Sequence, residues 1–124
     1  MPSTTKGSLL MTAGSVEIAE WLLRDGAQLN ASDHAGKTPL IGSGGVEMTQ
    51  LLLRYGADVR FRCQDGHTAL IAAAEHRDPF SAELLLKKGI EVNAQTVSGE
   101  TALQIAIRNG DAALRALLRT AGAR

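Results

Sequence analysis

Four side chains in this sequence carry an imidazole or a thiol, the groups best suited to binding zinc or to nucleophilic catalysis: His34, Cys63, His67 and His76. The histidines have no Cys or carboxylate at the spacing typical of zinc ligands, so we expect no metal site and no cofactor. Cys63 and His67 would suit a Cys–His nucleophile, but no orienting acid or oxyanion-hole motif accompanies them. The sequence also lacks a P-loop, a nucleophile elbow and paired carboxylates. It therefore predicts no catalytic residues and a protein that is not an enzyme.

The elements that must position these residues recur along the chain. A leucine followed four residues later by glycine occurs at Leu22, Leu52, Leu85 and Leu118. A threonine lies twelve residues after each of the first three of these glycines, at Thr38, Thr68 and Thr101. The next such glycine is 21 residues beyond Thr68 and Thr101, but only 18 beyond Thr38. A period near 33 residues is typical of stacked repeats, each of which contacts only its neighbours.

Short groups of residues recur within this period. They are Asp33 with Gly36, Thr38-Pro39-Leu40, Thr68-Ala69-Leu70 with Ala73-Ala74, and Gly89 with Val92-Asn93-Ala94. These groups resemble the ankyrin repeat, and the resemblance extends from about Thr5 to Arg124. It implies an all-α solenoid of helix–turn–helix units joined by β-turn fingers, in a single domain over residues 1–124. The four repeats would span approximately residues 5–32, 33–62, 63–95 and 96–124.

The resemblance also implies a function. Ankyrin repeats bind other proteins through the finger tips and the concave helix face, and the fold has no chemistry of its own. We therefore expect a protein–protein interaction module that binds a folded partner as an adaptor, scaffold or inhibitor.

The composition agrees with a stacked array and narrows the class of partner. Hydrophobic residues make up 44% of the chain but aromatic residues only 3%, which suits layers of small side chains better than one central core. Lys+Arg and Asp+Glu number 13 each, so the chain lacks the basic surface of a nucleic-acid-binding protein. One cysteine excludes an intramolecular disulfide, and no apolar stretch suggests a signal peptide or a membrane span. We expect a cytoplasmic monomer that binds neither nucleic acid nor membrane.

Aligned repeats predict which helix positions face the core and where the array ends. Two columns are apolar in every copy: Trp21, Leu51, Leu84 and Leu117, and then Leu22, Leu52, Leu85 and Leu118. Two others become arginine only in the last copy: Leu23, Leu53, Leu86 and Arg119, and then Ala19, Thr49, Ala82 and Arg115. Since a solenoid needs a polar terminal face, the arginines predict a C-terminal cap. The alternative is chance in a helix rich in leucine and arginine.

The second repeat has lost three residues between Thr38 and Val46. Three glycines lie within Gly42–Gly45, where a helix should end and turn. Each glycine costs roughly 1 kcal/mol relative to alanine inside a helix, so one turn of the first helix is expected to be missing. Two interpretations stay open: a tolerated deletion, or a notch that a ligand or partner fills. The notch gives the alternative function, a small-ligand-binding protein or enzyme that uses Gly42–Gly45 and Cys63.

By position in the repeat, the resemblance implies partner contacts beside the finger turns and at the ends of the first helices. In the fingers these residues are Ser32, His34, Lys37, Phe61, Arg62, Gln64, His67, Gln95, Val97 and Glu100, with Ala35, Asp65 and Ser98 beside them. At the helix ends they are Glu75, His76, Arg108 and Asn109. Their mixed charge favours no class of partner. Phe61 replaces the alanine of Ala31 and Ala94, and is either an exposed contact residue or packs over the shortened repeat.

Overall fold

The computed structural model describes residues 15–42 and 45–124, which form helices and turns without a strand. The described helices are α1 Val16–Arg24, α2 Pro39–Gly42, α3 Val46–Arg54, α4 Ala69–Glu75, α5 Pro79–Lys87, α6 Ala102–Arg108 and α7 Ala112–Thr120. They stack in two rows: α1, α3, α5 and α7 contact one another in order, and so do α2, α4 and α6. The predicted all-α solenoid of helix–turn–helix units is confirmed.

Side chains just before the helices fix where those helices begin. The Thr68 hydroxyl accepts a hydrogen bond from the backbone N–H of Ile71 at 3.2 Å. Thr101 and Gln104 form a reciprocal capping box at the start of α6. Asp78 caps α5 through Ser81, with Pro79 in the first turn. Each cap satisfies a backbone donor that the helix itself leaves unpaired.

The second repeat departs from this pattern, as the missing residues predict. Helix α2 has 4 residues, whereas α4 and α6 have 7 each. The N-cap of α3 is Gly45, which has no side chain to accept a hydrogen bond. Thr38 stands where Thr68 and Thr101 cap their helices, yet its buried hydroxyl has no hydrogen-bond partner among the described residues. The shortened helix therefore leaves an unpaired polar atom inside the stack.

The core consists of leucines between the layers and alanines where helices approach closely. The predicted leucine column Leu22, Leu52, Leu85 and Leu118 is buried throughout. The alanines of α4 are also buried, which lets the first helices of successive repeats lie close together. Arg115 and Arg119 are exposed on α7, as their columns predict.

Trp21 contradicts the prediction that its whole column faces the core. Leu51 is fully buried, and Leu84 and Leu117 are half-buried, but Trp21 is 63% exposed. Ile18, one helical turn away, is also exposed, so the two side chains share an outward side of α1. Helix α1 is first in the described row, and its main packing partner among the described helices is α3. A column position is buried only where a neighbouring layer covers it.

The fingers stack on one another through their backbones. We define finger 1 as residues 31–38, finger 2 as residues 61–68 and finger 3 as residues 94–101. The Gln64 N–H donates to the Ala35 carbonyl at 2.6 Å, and the Val97 N–H donates to the Asp65 carbonyl at 2.9 Å. Gly66 has φ +81°, and a Cβ added there would lie 3.1 Å from the Thr96 Cα. Glycine is therefore required at this turn both for its backbone conformation and for the close approach of finger 3.

Candidate partner-binding surface and the adjoining cleft

Each finger is a β-turn closed by the same pair of backbone hydrogen bonds. In finger 1 the Asp33 N–H donates to Lys37 and the Gly36 N–H donates to Asp33, both at 3.0 Å. The Asp33 carboxylate also accepts from the N–H groups of Ala35 and Lys37 at 2.9 Å. Finger 2 has the same closing bonds from Cys63 to His67 and from Gly66 to Cys63, at 3.0 and 2.9 Å. Cys63 thus occupies the position at which Asp33 holds its turn together.

The structure places most of the predicted partner-binding residues on the surface along the fingers and the adjoining helix ends. The exposed ones are Ser32, His34, Lys37, Phe61, Arg62, Gln64, Glu75, His76, Gln95, Val97 and Arg108. The half-buried ones are His67, Glu100 and Asn109. We call the exposed set the finger surface. Val97 is 80% exposed at the tip of finger 3, and Phe61 is 40% exposed at the start of finger 2.

In the third and fourth repeats, an ion pair joins the finger to the first helix of the same repeat. His67 Nε2 lies 3.1 Å from Glu75 Oε2, and Arg108 pairs with Glu100 at the equivalent positions one repeat later. His67 was predicted to be an exposed finger residue, but this contact with the end of α4 half-buries it. In the second repeat α2 stops before it reaches the equivalent of Glu75. Lys37 therefore has no such partner among the described residues.

Other contacts tie the fingers and loops of successive repeats together. The Gln64 side chain donates to the His34 carbonyl at 2.7 Å, and Arg62 pairs with Glu91 at 3.0 Å. Asn30 accepts from the backbone N–H of Asp58 at 3.0 Å. These contacts hold the finger surface in one fixed arrangement before any partner binds.

Arg60 replaces the asparagine that occupies its column in the neighbouring repeats. Asn93, one repeat later, accepts from the backbone N–H of Arg124 at 3.1 Å and so reaches the following repeat. Arg60 instead folds back onto Asp58, where its Nε and Nη2 atoms donate at 3.0 and 2.9 Å. These hydrogen bonds lower the pKa of Asp58 to about 2. The second repeat therefore lacks one of the polar contacts between layers.

A cleft of about 260 Å³ opens where α2 is short. Lys37 and Gly42 line one side of this cleft, and Cys63, Asp65, His67 and Glu75 line another. The cleft therefore lies where the sequence predicted that the first helix of the second repeat lacks a turn. It lies beside the finger surface.

The cleft brings together residues that the sequence did not predict to meet. One ligand atom each from Cys63, Asp65 and His67 lies within 4.8 Å of the other two. The sequence showed no Cys or carboxylate at the spacing typical of zinc ligands, but the folded turn brings Cys63 and Asp65 close to His67. The statement that no acid orients His67 is wrong, because Glu75 contacts its ring. The spacing of two residues from Cys63 to Asp65 to His67, in a turn whose first and last residues are hydrogen-bonded, was the available signal.

The fold and the finger geometry agree with the comparison of this sequence with known families. A model described as ankyrin repeats, in three copies, matches residues 42–124. The chain therefore belongs to the ankyrin-repeat family, whose members generally act as protein-interaction modules and are usually not catalytic. No curated protein matches the sequence closely enough to count as a relative. None of the described helices is both long and apolar enough to cross a membrane.

Proposed function

We propose that this protein binds a folded partner protein through the finger surface, as an adaptor, scaffold or inhibitor in the cytoplasm. The observation that carries the proposal is the row of exposed side chains on fingers that are joined backbone to backbone. Binding to a preformed surface loses less conformational entropy than binding to a flexible one, so such a row can recognise a protein of complementary shape.

The composition of the finger surface sets the chemistry of the partner. Fingers 1 and 2 present three exposed basic side chains: His34, Lys37 and Arg62. Finger 3 presents an exposed apolar side chain, Val97. Arginine and large apolar side chains are the residues that most often dominate binding energy at protein interfaces. The chain has no net charge, so we expect a partner with a mixed polar and apolar face rather than a nucleic acid.

The test compares two triple variants as bait. His34→Ala/Lys37→Ala/Val97→Ala removes three exposed finger side chains, and Gln50→Ala/Arg54→Ala/Lys88→Ala removes three exposed side chains from the other row of helices. Partners captured by the wild-type protein are purified, and the Kd of each is measured against both variants. We expect the finger variant to weaken binding at least about tenfold at unchanged melting temperature, and the helix variant to bind as the wild type does. Equal loss in both variants would refute the finger surface.

The cleft supports a second candidate function, the binding of a small ligand. Its volume of about 260 Å³ lies slightly below the usual range of about 300–1,000 Å³ for ligand pockets. Several side chains with metal-binding or acid–base groups line it, among them Cys63, Asp65, His67 and Glu75. A small ligand in the cleft would protect Cys63 from alkylation, whereas a partner on the finger tips would not.

A further inference from the structure

We propose that Cys63, Asp65 and His67 form a binding site for one Zn²⁺ ion at the floor of the cleft. The site lies beside the finger surface and shares Glu75 with it, but its test measures metal binding alone, so its failure would leave the proposed partner binding standing. Four features of the structure support it.

The first feature is the donor set. Cys63, Asp65 and His67 each offer a ligand atom within 4.8 Å of the others. Tetrahedral Zn²⁺ holds S, N and O ligands at about 2.0–2.3 Å, which places the ligand atoms about 3.5 Å apart. The donors therefore need to close by only about 1 Å, and Asp65 is an exposed side chain at the tip of the turn, free to do so.

The second feature is the orientation of His67. Its Nε2 lies 3.1 Å from Glu75 Oε2, so the ring donates Nε2–H to the carboxylate. That tautomer leaves a lone pair on Nδ1, and Nδ1 is buried without a hydrogen-bond partner among the described residues. Zinc-bound histidines typically donate their second ring nitrogen to a carboxylate in this way, which fixes the ring and raises its basicity. A metal ion would supply the partner that Nδ1 lacks.

The third feature is the position of Cys63 in its turn. The equivalent residue in finger 1, Asp33, is an anion that accepts two backbone N–H groups at 2.9 Å. Finger 2 has the same closing backbone hydrogen bonds, so Cys63 occupies the same place in an equivalent turn. A turn that holds a carboxylate also suits a thiolate, the form of cysteine that binds metal. Cys63 gives up its thiol proton to the solvent when the Zn–S bond forms.

The fourth feature is the open side of the site. Three protein ligands leave one of the four positions around Zn²⁺ for water or another ligand, and the cleft of about 260 Å³ provides the room. Thiolate and imidazole ligands favour Zn²⁺ over Mg²⁺ and Ca²⁺, which prefer oxygen ligands. The site is therefore assigned to zinc with an open position rather than to a hard cation.

The full chain is kept reduced with a non-chelating phosphine. It is titrated with Zn²⁺, followed by calorimetry, and separately with Co²⁺, followed by absorption spectroscopy. We expect one metal ion per chain, a thiolate-to-Co²⁺ charge-transfer band, and a higher melting temperature with Zn²⁺, because a ligand that binds only the folded state stabilises it. Failure of the folded, reduced protein to bind, or Co²⁺ binding without the thiolate band, would overturn the proposal.

Three variants and one control separate the ligands from general effects on folding. Cys63→Ser and His67→Ala should abolish stoichiometric binding, and Glu75→Gln should weaken it about 10-fold, because the carboxylate only orients the ring. Cys63→Asp restores the residue that closes finger 1, so it should fold and melt like the wild type while the thiolate band disappears. The control His34→Ala removes an exposed histidine from the neighbouring finger and should bind Zn²⁺ as the wild type does. Unchanged Zn²⁺ affinity in Cys63→Ser would refute the site.

Discussion

Two threonines at the same position of successive repeats have opposite roles. Thr68 caps α4 by accepting the Ile71 N–H at 3.2 Å, whereas the buried Thr38 hydroxyl, in front of the shortened α2, has no partner within residues 15–42 and 45–124. An unpaired buried hydroxyl has lost its hydrogen bonds to water and gained none in return. The position that stabilises the third repeat therefore costs stability in the second.

The residue-scale prediction compares Thr38→Val with Thr68→Val, which replace the same hydroxyl by a methyl group of similar shape. Thr38→Val should leave the free energy of unfolding unchanged or raise it, because no hydrogen bond is lost. Thr68→Val should lower it by about 1 kcal/mol, because the helix loses its cap. Urea denaturation followed by circular dichroism measures both. Equal losses in the two variants would show that Thr38 has a partner after all.

At the scale of elements, the length of α2 decides whether the cleft exists. Helix α2 has 4 residues against 7 in α4, so within the described residues it stops before the position that Glu75 occupies in α4. Pro39, Leu40 and Ile41 are buried, but a helix of only one turn has few backbone hydrogen bonds to hold it, as in segments that open locally at low free energy. We therefore expect the short helix to account for both the cleft and a low local stability.

The element-scale prediction lengthens α2 by inserting three alanines after Ile41, which restores the spacing of the other repeats. We expect a higher melting temperature and slower hydrogen exchange in residues 40–42, because the added turn buries apolar surface against α4. In the wild type, exchange there should be faster than in residues 69–74. A Gly-Ser-Gly insertion at the same place is the control, and it should not raise the melting temperature because glycine disfavours helix. A lower melting temperature with the alanine insertion would mean that the shortened repeat is already well packed.

The sequence predicted the structural features that recur in every repeat. It missed the exposure of Trp21 and the grouping of side chains at Cys63, which depend on local geometry. The buried leucine column and the short α2 both follow from aligned positions, because each repeat has nearly the same surroundings. Trp21 breaks its column because burial depends on the neighbouring layer as well as on the side chain. The grouping of Cys63, Asp65 and His67 could not be predicted without the closed shape of the turn, which places side chains two residues apart on the same side.

At the scale of the whole molecule, stability comes from contacts between adjacent layers. Leu85 is 1% exposed, in the row of helices that links α3 to α7, and leucines fill the same column in the other layers. Stacked repeats unfold approximately as a chain of units coupled by their interfaces. With only a few layers, strong interfaces should make the described part of the array unfold as one domain.

The last prediction tests this single domain with Leu85→Ala. The substitution should lower the free energy of unfolding by about 2–5 kcal/mol, because it leaves a cavity in the core. The matched control Ile107→Ala truncates a side chain that is 47% exposed and should cost about 0.5 kcal/mol or less. If the array is one cooperative unit, Leu85→Ala should also speed the slowest hydrogen exchange in α1 and in α6, which are not main packing partners of α5, by the same factor. Faster exchange confined to α5 and the helices that pack against it would show instead that the repeats unfold separately. In one cooperative unit, the lost free energy of unfolding lowers the protection from exchange in every layer.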